Sequence, residues 1–332
     1  MNSRTGSGWR TLRWPLAALG LLLVFNLLAT PGFFRFELKD GRLYGSLIDI
    51  LYRAAPIMLL SLGMTLVIAT GGVDLSVGAI MAIAGAVGAL LLNSGCPLAL
   101  VLAGALGCAT LAGLWNGALV GPLQIPPIVA TLILMVSGRG VAQLLTQGQI
   151  VTFENKAFEF VGRGHLLGLP FPIFLVAAGF VLLRWLLSRT AAGLFIEACG
   201  DNELASRYAG VPTRLVKLMV YGISGWCAGW AGLIVATDIK GADANNAGLY
   251  LELDAILAVV IGGTALSGGR AHLAGSLLGA ALIQTLTTTI FTRGLTAHFT
   301  LLVKSAVIIG VCLLQAPRFR KLMLRASAGA PR

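Results

Sequence analysis

The sequence predicts an all-α integral membrane protein, a polytopic helical bundle of about ten transmembrane helices with an internal repeat. Three observations carry this. The 332 residues are 57% hydrophobic and only 11% charged, with mean hydropathy +0.88, where a soluble domain carries about 25% charged residues. No soluble core of this size hides so much apolar surface, so lipid is the solvent. The apolar residues also fall in runs near the length that crosses a bilayer. Finally, Gly71-Gly72-Val73-Asp74-Leu75-Ser76-Val77-Gly78 recurs, loosened, as Gly262-Gly263-Thr264-Ala265-Leu266-Ser267-Gly268-Gly269, at an offset of 191 residues. Paired glycine breaks in two halves of an apolar chain are how transporters open irregular backbone to a polar solute.

Taken in order, Arg4, Arg10 and Arg13 precede an apolar run from Pro15 to Thr30. No small-x-small cleavage pattern follows, so the run reads as an uncleaved first span. Further spans are expected at 54–72, 75–93, 97–121, 127–147, 170–187, 216–238, 253–267, 272–291 and 298–315. The pair 54–72 and 75–93 is parted only by the first glycine break, and reads as a hairpin or as one broken helix. The span at 253–267 is short and ends in the second break. These limits divide the chain into an N-terminal tail 1–14, a membrane domain 15–315 with an interior loop 188–215, and a basic tail 316–332.

Orientation follows the Lys/Arg balance. The segments 1–14, 188–215, the turn near Arg270 and the tail with Arg318, Arg320, Lys321, Arg325 and Arg332 are expected inside. The first outer loop offsets its cations with Glu37, Asp40 and Asp49. Both termini are then cytoplasmic, which requires an even span count and puts both glycine breaks on one side, as parallel repeats. A span count in error by one would make them inverted repeats. The net charge of +11 is scattered rather than gathered on a soluble face, which fits anionic lipid headgroups and not nucleic acid. Cys96, Cys108, Cys199, Cys227 and Cys312 have no metal-ligand spacing, and no metal site is expected.

The stretch from Leu187 to Lys217 is the longest polar interruption expected to face the cytosol. Asp201 or Asn202 can cap a short helix, Glu203 to Ala209 has helical composition, and Gly210 with Pro212 stops it. Such a helix is either a lever for a soluble partner or an ordinary interfacial anchor.

The start Glu197-Ala198-x-Gly200, followed by Ala205 and Gly210, resembles the coupling loop of ABC importer permeases. The block from Gly71 to Gly78 is similar to the signature of the sugar branch of those permeases that also serve branched-chain amino acids. So are Gly113-x-x-Asn116-Gly117, Thr131-Leu132-x-x-Met135 with Arg139-Gly140, and Ala258-Val259-Val260-Ile261-Gly262-Gly263. The resemblance runs from about residue 45 to 315. Within the branch, Asp238 to Gly248 followed by Leu251-Glu252-Leu253-Asp254 looks most like galactofuranose-type permeases. Two departures stand out: Pro127 replaces the usual aromatic after Pro126, and the counterpart of Asp74 in the second copy is Ala265.

The resemblance implies the permease subunit of a sugar importer in the bacterial inner membrane. It implies separate ATPase subunits that use ATP and Mg and dock on Glu197, Ala198, Gly200, Asp201, Asn202, Ala205 and Gly210. It also implies a second permease copy or a paralogous permease, and an external sugar-binding protein. No cofactor is expected on this chain. It has no Gly-x-x-x-x-Gly-Lys-Ser/Thr loop, no His-Glu-x-x-His and no Gly-x-Ser-x-Gly elbow, and His165, His272 and His298 lie far apart. The rival reading is an ion-coupled secondary transporter. The scarcity of carboxylates in the spans stands against it.

Gly71, Gly72, Asp74, Ser76, Gly78, Asn116, Gly262, Gly263 and Ser267 are the candidates for the helix breaks or the translocation path. Asp74 caps a half-helix, meets solute or relays protons, and a carboxylate at bilayer depth needs a partner, at about 3 kcal/mol otherwise. Arg139 and Lys304 either snorkel or pair with carboxylates. Asn116, Gln124 and Gln284 either glue helices or face the path, and the glycines at 85, 88, 104, 107, 113 and 117 allow close helix approach. The Asp238–Gly248 segment reads as an outer hydrogen-bonding turn. Contact with a solute receptor there is implied only by the resemblance.

Overall fold

The computed structural model describes residues 5–39, 41–294, 302–306 and 309–310. The elements are α1 (Thr5–Ala29), β1 (Glu37–Lys39), β2 (Arg42–Tyr44), α2 (Ser46–Ala69), α3 (Val77–Asn93), α4 (Leu98–Val120), α5 (Pro127–Thr146), β3 (Ile150–Thr152) and α6 (Lys156–Arg163). They continue as β4 (His165–Leu166), β5 (Leu169–Pro170), α7 (Phe171–Arg189), α8 (Ala191–Asp201), α9 (Glu203–Tyr208), α10 (Thr213–Ile239), β6 (Gly241–Asp243), α11 (Leu251–Ile261) and α12 (Leu273–Thr292).

The fold is helical, as expected. Among the described residues seven helices are long and apolar enough to cross a membrane: those at Leu12–Ala29, Ser46–Ala69, Leu98–Val120, Pro127–Thr146, Phe171–Arg189, Thr213–Ile239 and Leu273–Thr292. The apolar α3, at 17 residues, is shorter. The expected span at 253–267 is only the 11-residue α11, which stops at the second glycine break. At 1.5 Å per residue it reaches about 16 Å, half of a bilayer core. The expected tenth span, 298–315, and the tail 316–332 lie largely outside the described residues. The strands are two- or three-residue pieces in antiparallel pairs, β1 with β2, β3 with β6 and β4 with β5, all in the connecting loops.

Helix α10 is the central post. Small residues let its neighbours close on it. Gly113 of α4 sits where any Cβ would press on the Tyr221 carbonyl and on Gly225, and Gly232 of α10 is held as tightly by Met81 of α3. The main apolar core gathers Leu59, Met64, Ile80, Met81, Leu233 and Val259 from α2, α3, α10 and α11. The outward faces of α4, α5 and α7 remain apolar and exposed, at Trp115, Ile133, Val136 and Leu182 among others, as lipid-facing helices do.

The pair α2 and α3 is a hairpin rather than one broken helix. Down α2, Tyr52 donates to Asp238, Gly63 packs on Ser224, and Gly72 lies at the Tyr221 hydroxyl. Up α3, Asp74 meets Ser224, Met81 meets Gly232, and Gly85 meets Ala236. The two helices therefore run in opposite senses along α10.

Candidate functional site

The two glycine breaks have the same backbone. At the end of α2, Gly71 N donates to Ile68 O (2.9 Å), Gly72 N donates to Val67 O (3.1 Å), and Gly71 has φ +80°. At the end of α11, Gly263 N donates to Val260 O (3.0 Å), Thr264 N donates to Val259 O (3.2 Å), and Gly263 has φ +93°. Each is a Schellman cap, with the left-handed residue that only glycine adopts without strain. Gly71 thus matches Gly263, an offset of 192 rather than the 191 of the sequence alignment. The identical Gly-Gly pairs drew that alignment one residue out of register, and Leu266, not Ala265, stands where Asp74 stands.

Asp74 is fully buried. Its Oδ1 accepts from Ser76 N (3.0 Å) and Ser76 Oγ (2.6 Å), and its Oδ2 accepts from Ser224 Oγ on α10 (2.9 Å). Asn116 of α4 donates from Nδ2 to Ser76 Oγ (2.8 Å). Asp74, Ser76 and Asn116 therefore form one buried node that ties the start of α3 to α4 and α10, with the Asn116 Oδ1 left without a donor among the described residues. Ser224 lies 11 residues into α10, about 16 Å along it, so the node is deep in the bundle. No solvent-facing surface is left for a solute at these three side chains. Asp74→Ala strands the Ser76 N–H and the Ser224 hydroxyl, each at about 1–3 kcal/mol. We expect a lower thermal unfolding midpoint for detergent-solubilised Asp74→Ala and a smaller drop for Asp74→Asn, whose amide can accept from Ser76 and donate to Ser224.

The interior loop folds as two helices where the sequence suggested one. Helix α9 meets the expectation: Asn202 Oδ1 accepts from Ala205 N (3.0 Å), and Gly210, at φ +86°, ends the turn after it. Residues Glu197, Ala198, Gly200 and Asp201 belong to the preceding α8, capped by Thr190, whose Oγ1 accepts from Ala192 N (3.2 Å). Thr190 ahead of two alanines was the signal for that helix. Ser206 Oγ donates to Ala198 O (2.7 Å), and Glu203 pairs with Arg207 (3.2 Å) and Lys217 (2.7 Å), which fixes α9 to α8 and to the base of α10. Cys199 between them is buried, and burial raises its thiol pKa. Leu194, Leu204 and Tyr208 project outward, Tyr208 with 90% of its surface exposed. Large apolar groups on a polar, rigidly held loop mark a contact surface.

Gly200 joins this loop to both breaks. A Cβ there would overlap the Ala69 carbonyl oxygen at the end of α2 and lie 2.5 Å from Gly269 N. Gly269 N itself donates to Ala69 O (3.0 Å). A Cβ on Gly268 would lie 2.9 Å from Gly71 N and 3.0 Å from Gly200 O, and Gly71 faces the Ser267 carbonyl. The structure thus brings Gly71, Gly200 and Ser267 to one backbone junction, with Gly72 in the α2 cap beside it. Gly262 packs instead on Gly275 of α12, and Gly78, in the first turn of α3, on Gly248. Sequence reasoning placed Gly268 and Gly269 in the second glycine block but left them out of the site candidates, although two adjacent glycines after Ser267 are a left-handed turn signal; both have φ near +90°.

Arg139 pairs with backbone rather than directly with a carboxylate. Its Nη1 donates to Ala247 O (2.5 Å) and Ala244 O (3.1 Å). Lys304 does pair, through Nζ to Asp254 Oδ2 at 2.6 Å, both side chains being largely buried. The end of the bundle opposite α8 carries an open cavity of about 490 Å³ lined by Arg42, Tyr52, Arg53, Arg163, His165 and Asp238 among others. Burial and the Arg42 charge lower the pKa of His165 there.

Comparisons with known proteins agree on this architecture. The chain is 55% identical over 320 residues to the galactofuranose transporter permease protein YtfT of Escherichia coli K12, covering 95% of this chain and 94% of that one. It is 39% identical to the fructose import permease protein FruF of Bifidobacterium longum, over 94% of this chain and 89% of the relative. It is 33% identical to the ribose import permease protein RbsC of Escherichia coli K12, over 93% and 97%. A solved inward-facing ABC transporter of metal-chelate type shares the fold at TM-score 0.50 and 18% identity, covering 91% of this chain and 99% of that one. The model of the branched-chain amino acid transport system / permease component family matches residues 46–312, and the chain belongs to that family.

Proposed function

We propose that this chain is the permease subunit of an ATP-binding-cassette importer that carries a monosaccharide across the bacterial inner membrane by alternating access. The sugar is of pentose or hexose size, with galactofuranose favoured by the 55% identity to a galactofuranose permease. The observation that carries the reading is the Gly200 junction. An apolar loop tip that suits a soluble partner is in backbone contact with the end of α2 and with the loop that joins α11 to α12. A partner ATPase, which binds and hydrolyses ATP with Mg, docks on Leu194, Leu204 and Tyr208 and moves α8. Gly200 then moves Ala69 and Gly269 together, so α2 and the loop between α11 and α12 shift as a unit. The α8 end is cytoplasmic on this reading, as are both termini. An external sugar-binding protein meets the arginine-lined cavity at the other end. A second copy, or a paralogous permease, completes the path.

The test is reconstitution. In lipid vesicles the chain alone should not concentrate galactose, ribose or fructose under a proton or sodium gradient. With its ATPase and binding protein, it should accumulate one of them on ATP addition. Concentrative uptake by the solitary chain would overturn this reading in favour of an ion-coupled transporter.

A further inference from the structure

The segment expected as an outer turn runs deep into the bundle. It leaves the far end paired with β3 through β6 and then descends beside α3. Ala244 packs with Ala82 and Ile83, and Gly248 reaches Gly78, where any Cβ on either glycine would strike the other's backbone. Gly78 is 15 residues from the end of α3 at Asn93, so Gly248 lies about 22 Å below that end. Only there does α11 begin. This is non-helical backbone at bilayer depth, which is tolerated only against protein or water. On its inner side protein satisfies it: Arg139 binds the Ala244 and Ala247 carbonyls, and Asp243 Oδ1 accepts from Asn245 N and Asn246 N. The other side is open. Asn245, Asn246, Leu249 and Tyr250 are exposed. Asn245 is held nearer the far end, its amide bonded to Gly148 O and Gln143, while the chain below it descends to Gly248; polar backbone exposed along that descent faces water rather than lipid.

Two details point to a ligand there. Among the described residues nothing donates to the Asn246 side-chain oxygen, while its Nδ2 is held by Asp243 Oδ2 (2.8 Å), which fixes that oxygen's direction. Tyr250 has φ +65°, a left-handed backbone that a bulky residue rarely adopts, yet its ring is exposed. Strain kept at an exposed aromatic marks function rather than packing.

We propose that segment 243–250 is the solute-contacting wall of the path. Asn246 accepts from hydroxyls, and Tyr250 offers a ring face to the C–H face of an uncharged polyhydroxylated ring. The asparagines and the aromatic suit a neutral polyol, and among the described residues the cations Arg139 and Lys304 are already turned onto carbonyls and onto Asp254. This deepens the permease reading and rests on it.

The test has two arms in the complete transporter, reconstituted with its ATPase and binding protein. First, with the five native cysteines replaced, Asn246→Cys and Tyr250→Cys should react with a membrane-impermeant methanethiosulfonate, and galactose, ribose or fructose should slow the reaction. Leu182→Cys on the outward face of α7 is the unreactive control. Second, Tyr250→Gly relieves the left-handed strain and removes the ring, so it should fold at least as stably as wild type. Its uptake should fall by about tenfold or more, equivalent to ~1.4 kcal/mol, while binding-protein-stimulated ATPase is kept. Tyr250→Phe should stay near wild type. Cysteines as inert as Leu182→Cys, or full uptake by Tyr250→Gly, would overturn the wall. If wild type shows no ATP-driven uptake of any probe, the permease reading fails instead, and the labelling arm still decides where water reaches.

Discussion

Gly200→Leu is expected to abolish ATP-driven uptake while leaving the chain inserted in the membrane. The side chain at this position meets main chain on both sides, the Ala69 carbonyl and the Gly269 amide, and neither can turn away as a flexible side chain would. Relief requires α8 to back off from α2 or the Gly269–Ala69 hydrogen bond to break. Overpacking of this kind costs about 1–3 kcal/mol, which is small against the stability of the whole bundle and large for one contact. The loss should therefore be local. Uptake should drop to the level of vesicles lacking ATP, and ATPase pulled down through Tyr208 and Leu204 should remain bound. Gly107→Ala is the matched control, since that helical glycine has open space around its missing Cβ. Normal uptake by Gly200→Leu would dismiss α8 as the lever. Adding Glu197→Lys to Gly200→Leu should deepen nothing further if the junction is already uncoupled.

The second large effect is expected at Lys304 and Asp254. Their side chains are 14% and 12% exposed and 2.6 Å apart, at the start of the half-helix that begins deep in the bundle. Removing one partner leaves an uncompensated buried charge, which costs about 3–5 kcal/mol. Lys304→Met and Asp254→Leu should each lower the unfolding midpoint sharply in detergent. The double variant should recover most of the loss, because a buried ion pair is commonly replaced by apolar groups at little net cost. A double variant no better than the worse single would show that each residue acts through other contacts. Uptake by the double variant reads a separate property, whether the charge pair also serves transport.

How much of this was legible in the sequence follows from which physical signal each part carries. Both breaks were visible because a Schellman cap needs a left-handed residue, and glycine supplies it at Gly71 and Gly263. The α9 helix was visible because Asn202 and Gly210 are local start and stop signals. The descent of residues 241–250 was not. Asp243, Asn245 and Asn246 read as a solvated turn, and the partners that admit them to the bilayer lie about a hundred residues away, at Arg139 and Gln143. The register of the repeat also escaped, because matching letters favoured Gly-Gly on Gly-Gly while the backbone matches the left-handed residues. The junction at Gly200 depends on three segments that meet only in space, so no spacing rule could announce it.

The Ala69–Gly200–Gly269 contact has one more consequence. Its named partners are peptide groups: an amide, a carbonyl and the empty place of a side chain. None of these gains or loses a proton across the acidity range of living cells, and none carries a net charge for counterions to screen. A linkage made this way grips equally in dilute and in concentrated cytosol. On the permease reading, osmotic or acid stress would reach this contact only through the ionic clamp of Glu203 with Arg207 and Lys217 beside it.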